Sequence, residues 1–425
     1  MRAEAHGPDA PDFEPDFEPD FEPDFEPIMN VFYIPSWYPE PDRGLLNGVF
    51  FAETALAITS TDPNVRLFVS RWGQGERELS SARLRHWWHD RRPIGVARPE
   101  RSEVRANLIE WVTPAWTWRY ELARGNIDAI VEANRRNLAH ARAEAGAIDV
   151  IHAQVSFPAG YVAMRLSADS GIPYVISEHM SPFPFLHFVR GGQVVADVAL
   201  PLRQARRVTA VSRSLARSIE DSVGVRAQVV PNGIDTEFFC PGPSRSGPFV
   251  FLTVGHLEQQ KGIDVLLRAI ARIGVPPDVR FRFAGDGSQA ATYRALAGSL
   301  GISGCIDWLG ALDRAGVRDA MRACDCFVLA SRHESFGIVY GEALATGKPV
   351  IATRSGGPED LVHEGNGMLV RVEDVEALAQ ALRAMRARAR EYDAAAIRAD
   401  AVGRFSAAGV ARLFVALYRE ASELR

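Results

Sequence analysis

At 425 residues, with 47% hydrophobic and 24% charged side chains, the chain has ordinary globular composition and enough length for two domains, each with its own core. Its formal net charge of −5 gives no reason to expect a nucleic-acid partner, and no apolar run reaches the ~18 residues of a membrane-spanning helix. No signal-peptide pattern opens it, and Cys240, Cys305, Cys324 and Cys326 form no C-x-x-C; they read as reduced thiols of a cytoplasmic protein.

Residues 1–28 repeat the unit PDFE four times and carry ten acids against one arginine. Such a segment buries too little surface to offset its ordering entropy and is expected to be disordered. Met29 is a candidate natural start, and the chain beyond it is mildly basic.

From Met29 onward short apolar strands alternate with longer helical stretches, the pattern of an α/β protein with parallel sheets. The first half offers NVFYIP, VRLFVS, DVIHA, PYVIS, RVTAVS and AQVVPN. The Pro/Gly/Ser-rich CPGPSRSGP at 240–248 reads as a linker. The second half restarts with FVFLTVG, VRFRFAG, CIDWLG, CFVLAS, KPVIAT and GMLVR. The expected organisation is a disordered acidic repeat over 1–28, a first Rossmann-like domain over 29–242 and a second over 243–403. A C-terminal helix over 404–425 packs back on the body. In such sheets ligands bind beyond the carboxyl ends of the strands, here in a cleft between the domains.

Residues 71–118 break the alternation. They hold Trp72, Trp87, Trp88, Trp111, Trp116 and Trp118 and are rich in arginine, including Arg91, Arg92 and Arg98. Two readings stand. The segment is an insertion whose tryptophans pack on the first domain, or a surface for a membrane face or an anionic, lipid-linked substrate.

Several strand ends carry polar residues a core does not need. VGHLEQQKGIDVLLRAI places Lys261 between a Gly255 turn and the start of a helix, where a cation and free helix N–H groups together make an anion site. Lys261 and Lys348 are the only lysines among 48 basic residues, so a compact charge at 261 stands out. In ESFGIVYGEALATG, Glu334 lies in a loop and Glu342 within the following helix, flanking the amides of Gly337, Ile338 and Val339. Two carboxylates so placed can hold the paired hydroxyls of ribose and sugar, with a diphosphate at the helix start. A glycosidase pair is the rival reading, and it leaves Lys261 without a task. NGVFFAE puts Asn47 and Gly48 before a helix. VISEHMSPF puts Glu178 and His179, and DVIHAQ puts His152, just past strands and hence at the cleft. Gly285, Gly287 and Ala290 match G-x-G-x-x-A with Asp307 further on, but this sits on the second strand of its half and reads as a loop at the cleft floor rather than a dinucleotide site.

These motifs, in this order, resemble the GT4 family of retaining glycosyltransferases, whose fold is GT-B: two Rossmann-like domains with parallel sheets facing across a cleft. The likeness runs from Met29 to about Arg404. It rests on VPNGID at 230–235, on Gly255 through Lys261 and Gly262, and on Glu334 and Glu342 spaced as Glu-x7-Glu. The resemblance implies transfer of a sugar from a nucleotide-sugar donor, UDP- or GDP-linked, to a glycan or lipid-linked acceptor. It implies no cofactor and no metal, and no D-x-D occurs. It assigns Lys261 to the diphosphate, Glu342 to the ribose, Glu334 to the transferred sugar, and the amides of Gly337, Ile338 and Val339 to phosphate or sugar. It sets His179 near the reacting sugar and Gly48 at the donor–acceptor junction. Where family members commonly carry arginine this chain has His256, whose ordinary pKa is about 6.5. The competing readings are a sugar-nucleotide epimerase of similar fold and a non-catalytic nucleotide-sugar-binding protein.

Overall fold

The computed structural model describes residues 28–39, 48–73, 99–243 and 246–423. The PDFE repeat, Asn47, Trp87, Trp88, Arg91, Arg92 and Arg98 lie outside the described residues, so the expectations attached to them are not addressed by it.

Two parallel sheets form the frame. The first contains β1 (Met29–Pro35), β2 (Val65–Arg71), β3 (Glu100–Arg105), β4 (Leu108–Val112), β5 (Val150–Gln154) and β6 (Tyr174–Glu178). After a short hairpin, β7 (Val189–Arg190) with β8 (Gln193–Val194), the sheet gains β9 (Arg207–Ala210) and β10 (Gln228–Val229). Its order is β10-β9-β6-β5-β1-β2-β4-β3, parallel except for the β3–β4 pair. The second sheet contains β11 (Phe249–Val254), β12 (Val279–Ala284), β13 (Ile306–Gly310), β14 (Cys326–Leu329), β15 (Val350–Thr353) and β16 (Gly367–Val370), all parallel in the order β13-β12-β11-β14-β15-β16. Strands covered on both faces read as continuous apolar runs, which is why β1, β14 and β15 are legible. The AQVVPN segment keeps only two residues of strand, and β3 and β4 continue the first sheet inside the segment that breaks the alternation.

Five helices matter for the site: α1 (Val49–Thr61), α2 (Ile263–Ile273), α3 (Arg314–Arg322), α4 (Ile338–Ala345) and α5 (Ala407–Glu423). Helix α5 returns to the first sheet: Tyr418 reaches His152 on β5, and Arg419 reaches Asp62 just past α1. The two halves also meet through Arg213 and Asp360 and through a bridge between Ile234 and Ser406.

Within 71–118, Trp72 is buried, Trp111 stacks on His140 with ring centroids 4.5 Å apart, and Trp118 donates to the Leu122 carbonyl at 2.6 Å. Trp72 and Trp111 thus pack on the first domain's core, while the Trp118 bond stays within its own segment. Among the described residues no helix is long and apolar enough to cross a membrane.

Candidate active site

The loop after β11 and the loop after β14 bring the two sequence motifs together. Lys261 closes a short turn, Gln259–Lys261, just before α2, and Glu334 lies between β14 and α4. The Lys261 ammonium stands 2.7 Å from Glu334 Oε1, and the Ser331 hydroxyl donates to the same oxygen at 2.8 Å. The backbone fixes Glu334 as well. Its N–H donates to the Ser355 carbonyl at 2.9 Å, and its own carbonyl accepts from Gly357 at 2.8 Å.

Gly337, at φ 88°, caps α4. The N–H groups of the first helical turn, Ile338 and Val339 among them, have no carbonyl of a preceding turn to bond. Glu342 lies one turn further along and is half-buried. Burial pushes its carboxyl up to about 8, with the Glu53 carboxylate adding to the rise and the Arg314 guanidinium opposing it.

Helix α1 is the element the two halves share. Gly48 caps it at φ 82° against the backbone of Trp37 and Tyr38. Phe50 and Phe51 follow, their rings 5.3 and 5.0 Å from the His179 ring. One turn on, Glu53 accepts from Arg314 of α3 at 2.9 Å, and Arg314 also reaches Asp235 at 3.2 Å. Burial raises the Glu53 carboxyl, Arg314 lowers it, and Asp235 raises it. Sequence reasoning did not single out Glu53 or Arg314. Glu53 closes the quoted NGVFFAE stretch, but no spacing rule links it to an arginine in the other half.

His179 is held by Gln154, whose Oε1 lies 2.8 Å from His179 Nε2. Burial pushes the imidazole down to about 3, so it is neutral at physiological pH. His256 is exposed and lies near Glu258. Glu258 in turn holds the N–H and hydroxyl of Ser288 at 2.6 Å each.

Two expectations are corrected. His152 does not face the cleft: it is fully buried and bonded to Tyr418, Ser177 and Gln154. Glu178 is buried too, accepting backbone N–H groups of Ser156, His179 and Met180 at 2.8 to 3.0 Å. It shapes the turn that carries His179. In both cases the strand continues one residue deeper than its apolar pattern shows, and the polar atoms find partners inside. The Gly285–Gly287 pair has a structural purpose. A side-chain carbon at Gly285 would lie 1.9 Å from the Gly255 carbonyl oxygen, and one at Gly287 2.7 Å from that of Leu257. The two loops therefore pack backbone to backbone, as Leu257 N–H on the Asp286 carbonyl at 3.0 Å confirms.

With this geometry in view, the comparisons with known proteins converge. Residues 235–399 match the model of glycosyl transferases group 1, and residues 64–238 that of glycosyltransferase family 4. The D-inositol 3-phosphate glycosyltransferase of Geodermatophilus obscurus is 31% identical over 319 residues, 67% of this chain and 69% of that protein. An uncharacterized glycosyltransferase of Methanocaldococcus jannaschii is 32% identical over 228 residues, 53% of this chain and 62% of its own, so the chain spans less than two thirds of that relative. The structure of HepE from Anabaena in complex with UDP-glucose superposes with a TM-score of 0.63 at 21% identity, covering 92% of this chain and all of that one, which shows a shared GT-B fold. The chain belongs to the group 1 glycosyltransferases, with the two-sheet fold of that family.

Proposed function

We propose that the protein transfers a sugar from a nucleotide-sugar donor to a glycan or lipid-linked acceptor, without a metal and with retention of anomeric configuration. The observation that carries this reading is the Lys261–Glu334 contact, with Glu334 in the loop that leads into α4. A cation, a carboxylate and the N–H groups of a helix start are the set needed for a diphosphate joined to a sugar, and in this reading they act together. In this reading residues 29–242 form the acceptor half and 243–403 the donor half.

Lys261 and the amides of Gly337, Ile338 and Val339 offset the charge of the departing diphosphate. Glu342 accepts from the ribose hydroxyls, and Glu334 from the transferred sugar. His179 contacts that sugar from the first half, and Gly48 lines the junction. His256 takes the place of a second permanent cation. No side chain need act as a nucleophile, since the acceptor hydroxyl can attack from the leaving-group face with a donor phosphate oxygen as base. UDP- and GDP-sugars are the first candidates; HepE, with the same fold, is seen with UDP-glucose, and the Geodermatophilus relative is named for transfer to an inositol phosphate. A lipid-linked acceptor would be met at the inner face of the membrane, with residues 71–118 the candidate contact of a cytoplasmic enzyme.

The test is thermal stabilisation by UDP-, GDP-, ADP- and TDP-sugars with a metal chelator present, repeated with Glu342→Ala. One donor is expected to stabilise the wild type and not the variant, and NMR of the product should show the donor's anomeric configuration. Stabilisation that requires a divalent ion, or a product of inverted configuration, overturns the reading.

A further inference from the structure

The described polar groups behind the site form a chain from the last helix to the sugar-facing imidazole. Tyr418 OH on α5 lies 2.6 Å from His152 Nδ1, His152 Nε2 lies 3.1 Å from Gln154 Nε2, and Gln154 Oε1 lies 2.8 Å from His179 Nε2. Ser177 Oγ, which accepts from Thr209 at 2.8 Å, stands 2.8 Å from the same His152 nitrogen. All but His179 are fully or almost fully buried.

The chemistry of each group dictates the next. An amide oxygen only accepts, so His179 carries its hydrogen on Nε2 and a lone pair on Nδ1. The amide nitrogen of Gln154 only donates, so His152 Nε2 is the acceptor and its hydrogen sits on Nδ1, toward the Tyr418 oxygen. His179 Nδ1 is buried and has no hydrogen-bond partner among the described residues, while Phe50 and Phe51 pack around the ring. A second feature marks the same point. Val155, next to Gln154, holds φ 78° and ψ 142°, a positive-φ conformation that strains a β-branched residue and persists only where its surroundings impose it.

We propose that Gln154 is a positioning residue for His179, backed by His152 and Tyr418: it fixes the tautomer that leaves Nδ1 as the acceptor for a hydroxyl hydrogen of the transferred sugar. The proposal rests on the nucleotide-sugar reading for the identity of that hydroxyl, but the tautomer does not depend on it. A glutamine here does what an ionised carboxylate could not, since it accepts at one end and donates at the other, joining two neutral imidazoles in one order.

The experiment is nitrogen-15 NMR of histidine-labelled full-length protein, which reads each ring nitrogen as protonated or not without any donor. The wild type should show His179 protonated on Nε2 and His152 on Nδ1. Gln154→Leu removes both bonds, and His179 should become a mixture of tautomers. Gln154→Glu offers acceptors at both ends, so His179 should keep its form while His152 inverts. In turnover with the donor found above, Gln154→Leu should lower kcat roughly ten- to hundredfold, with the dissociation constant for UDP or GDP changed less than about twofold, and Gln154→Glu should recover part of kcat. Should Gln154→Leu not fold, the His152 inversion in Gln154→Glu carries the test. His179 unchanged in Gln154→Leu, or His152 unchanged in Gln154→Glu, overturns the proposal. If the wild type binds no nucleotide sugar, the donor reading fails while the tautomer result still decides this one.

Discussion

The Lys261 ammonium lies 2.7 Å from Glu334 Oε1, so the cation assigned to the diphosphate and the carboxylate assigned to the sugar are partners of each other. Both side chains are largely shielded from solvent, at 21% and 9% exposure, so each matters to the other more than a surface pair would. A donor entering between them exchanges one charged contact for two. Lys261→Ala should weaken UDP or GDP binding by about 1.5–3 kcal/mol, the value of a hydrogen bond to a charged group. Glu334→Ala frees the lysine, so it should lower kcat while leaving nucleotide affinity equal to or better than that of the wild type. Calorimetry with the nucleoside diphosphate, set beside turnover, separates the two. Equal loss of affinity in both variants would show that the pair binds as one unit and that Glu334 is not reserved for the sugar.

Glu342 gives a pH signature. Its carboxyl is raised to about 8 by burial and by Glu53, so the folded chain keeps a proton there that the unfolded chain loses near pH 4.3. Its contribution to stability therefore falls as pH rises between about 4.3 and 8. His152 and His179, both held down to about 3 by burial, act in the opposite sense, and only below about 6.5. The two histidines drop out in the interval from pH 6.5 to 8, and the Glu342→Gln comparison separates Glu342 from Glu53 and Glu178, whose carboxyls burial also raises. Glu342→Gln should lose less stability than the wild type across it, measured as urea midpoints at the two ends. Parallel declines in the two proteins would place the raised carboxyl elsewhere.

His256 is exposed where a second permanent cation is expected. His256→Arg should tighten nucleoside diphosphate binding, since it supplies a permanent cation. Calorimetric titration of the two proteins with the nucleoside diphosphate reads this directly. Weaker binding by the arginine variant would assign His256 to another task, such as steadying Glu258.

Gly262, between Lys261 and α2, holds φ 60°, and a side-chain carbon there would lie 1.9 Å from the Ala330 carbonyl oxygen. That oxygen belongs to backbone and cannot swing away. Gly262→Ala should therefore destabilise by more than about 2 kcal/mol and move Lys261 off Glu334. Gly171, at φ 72° with nothing within 4 Å of such a carbon, is the control. Gly171→Ala should show only the left-handed penalty, about 1–2 kcal/mol. If denaturant midpoints of the two variants coincide, the close approach at Ala330 relaxes more easily than its geometry indicates.

The parts of this molecule that sequence alone discloses are those written in local pattern. β14 and β15 are apolar throughout because both their faces are covered, and the Glu334–Glu342 spacing survives as a loop residue and a residue one turn into α4. β3, by contrast, reads ERSEVR and is exposed along its length, so an antiparallel edge strand there carries no apolar signal at all. His152 ends an apolar run and looks like a residue emerging from a sheet. What encloses it is Tyr418, which no periodicity connects to it. The Arg314 contact with Glu53 is hidden for the same reason: it joins α1 to α3, far apart in sequence, and no local spacing marks it.

The bond from His152 to Tyr418 joins residues 266 positions apart. During synthesis β5 leaves the ribosome long before α5 exists. The nascent amino-terminal sheet can assemble its apolar strands as a unit, but it must carry an imidazole inside with its phenol still untranslated. A chain that stops short of α5 lacks the Tyr418 hydroxyl, and His152 Nδ1 then sits inside the sheet without that partner.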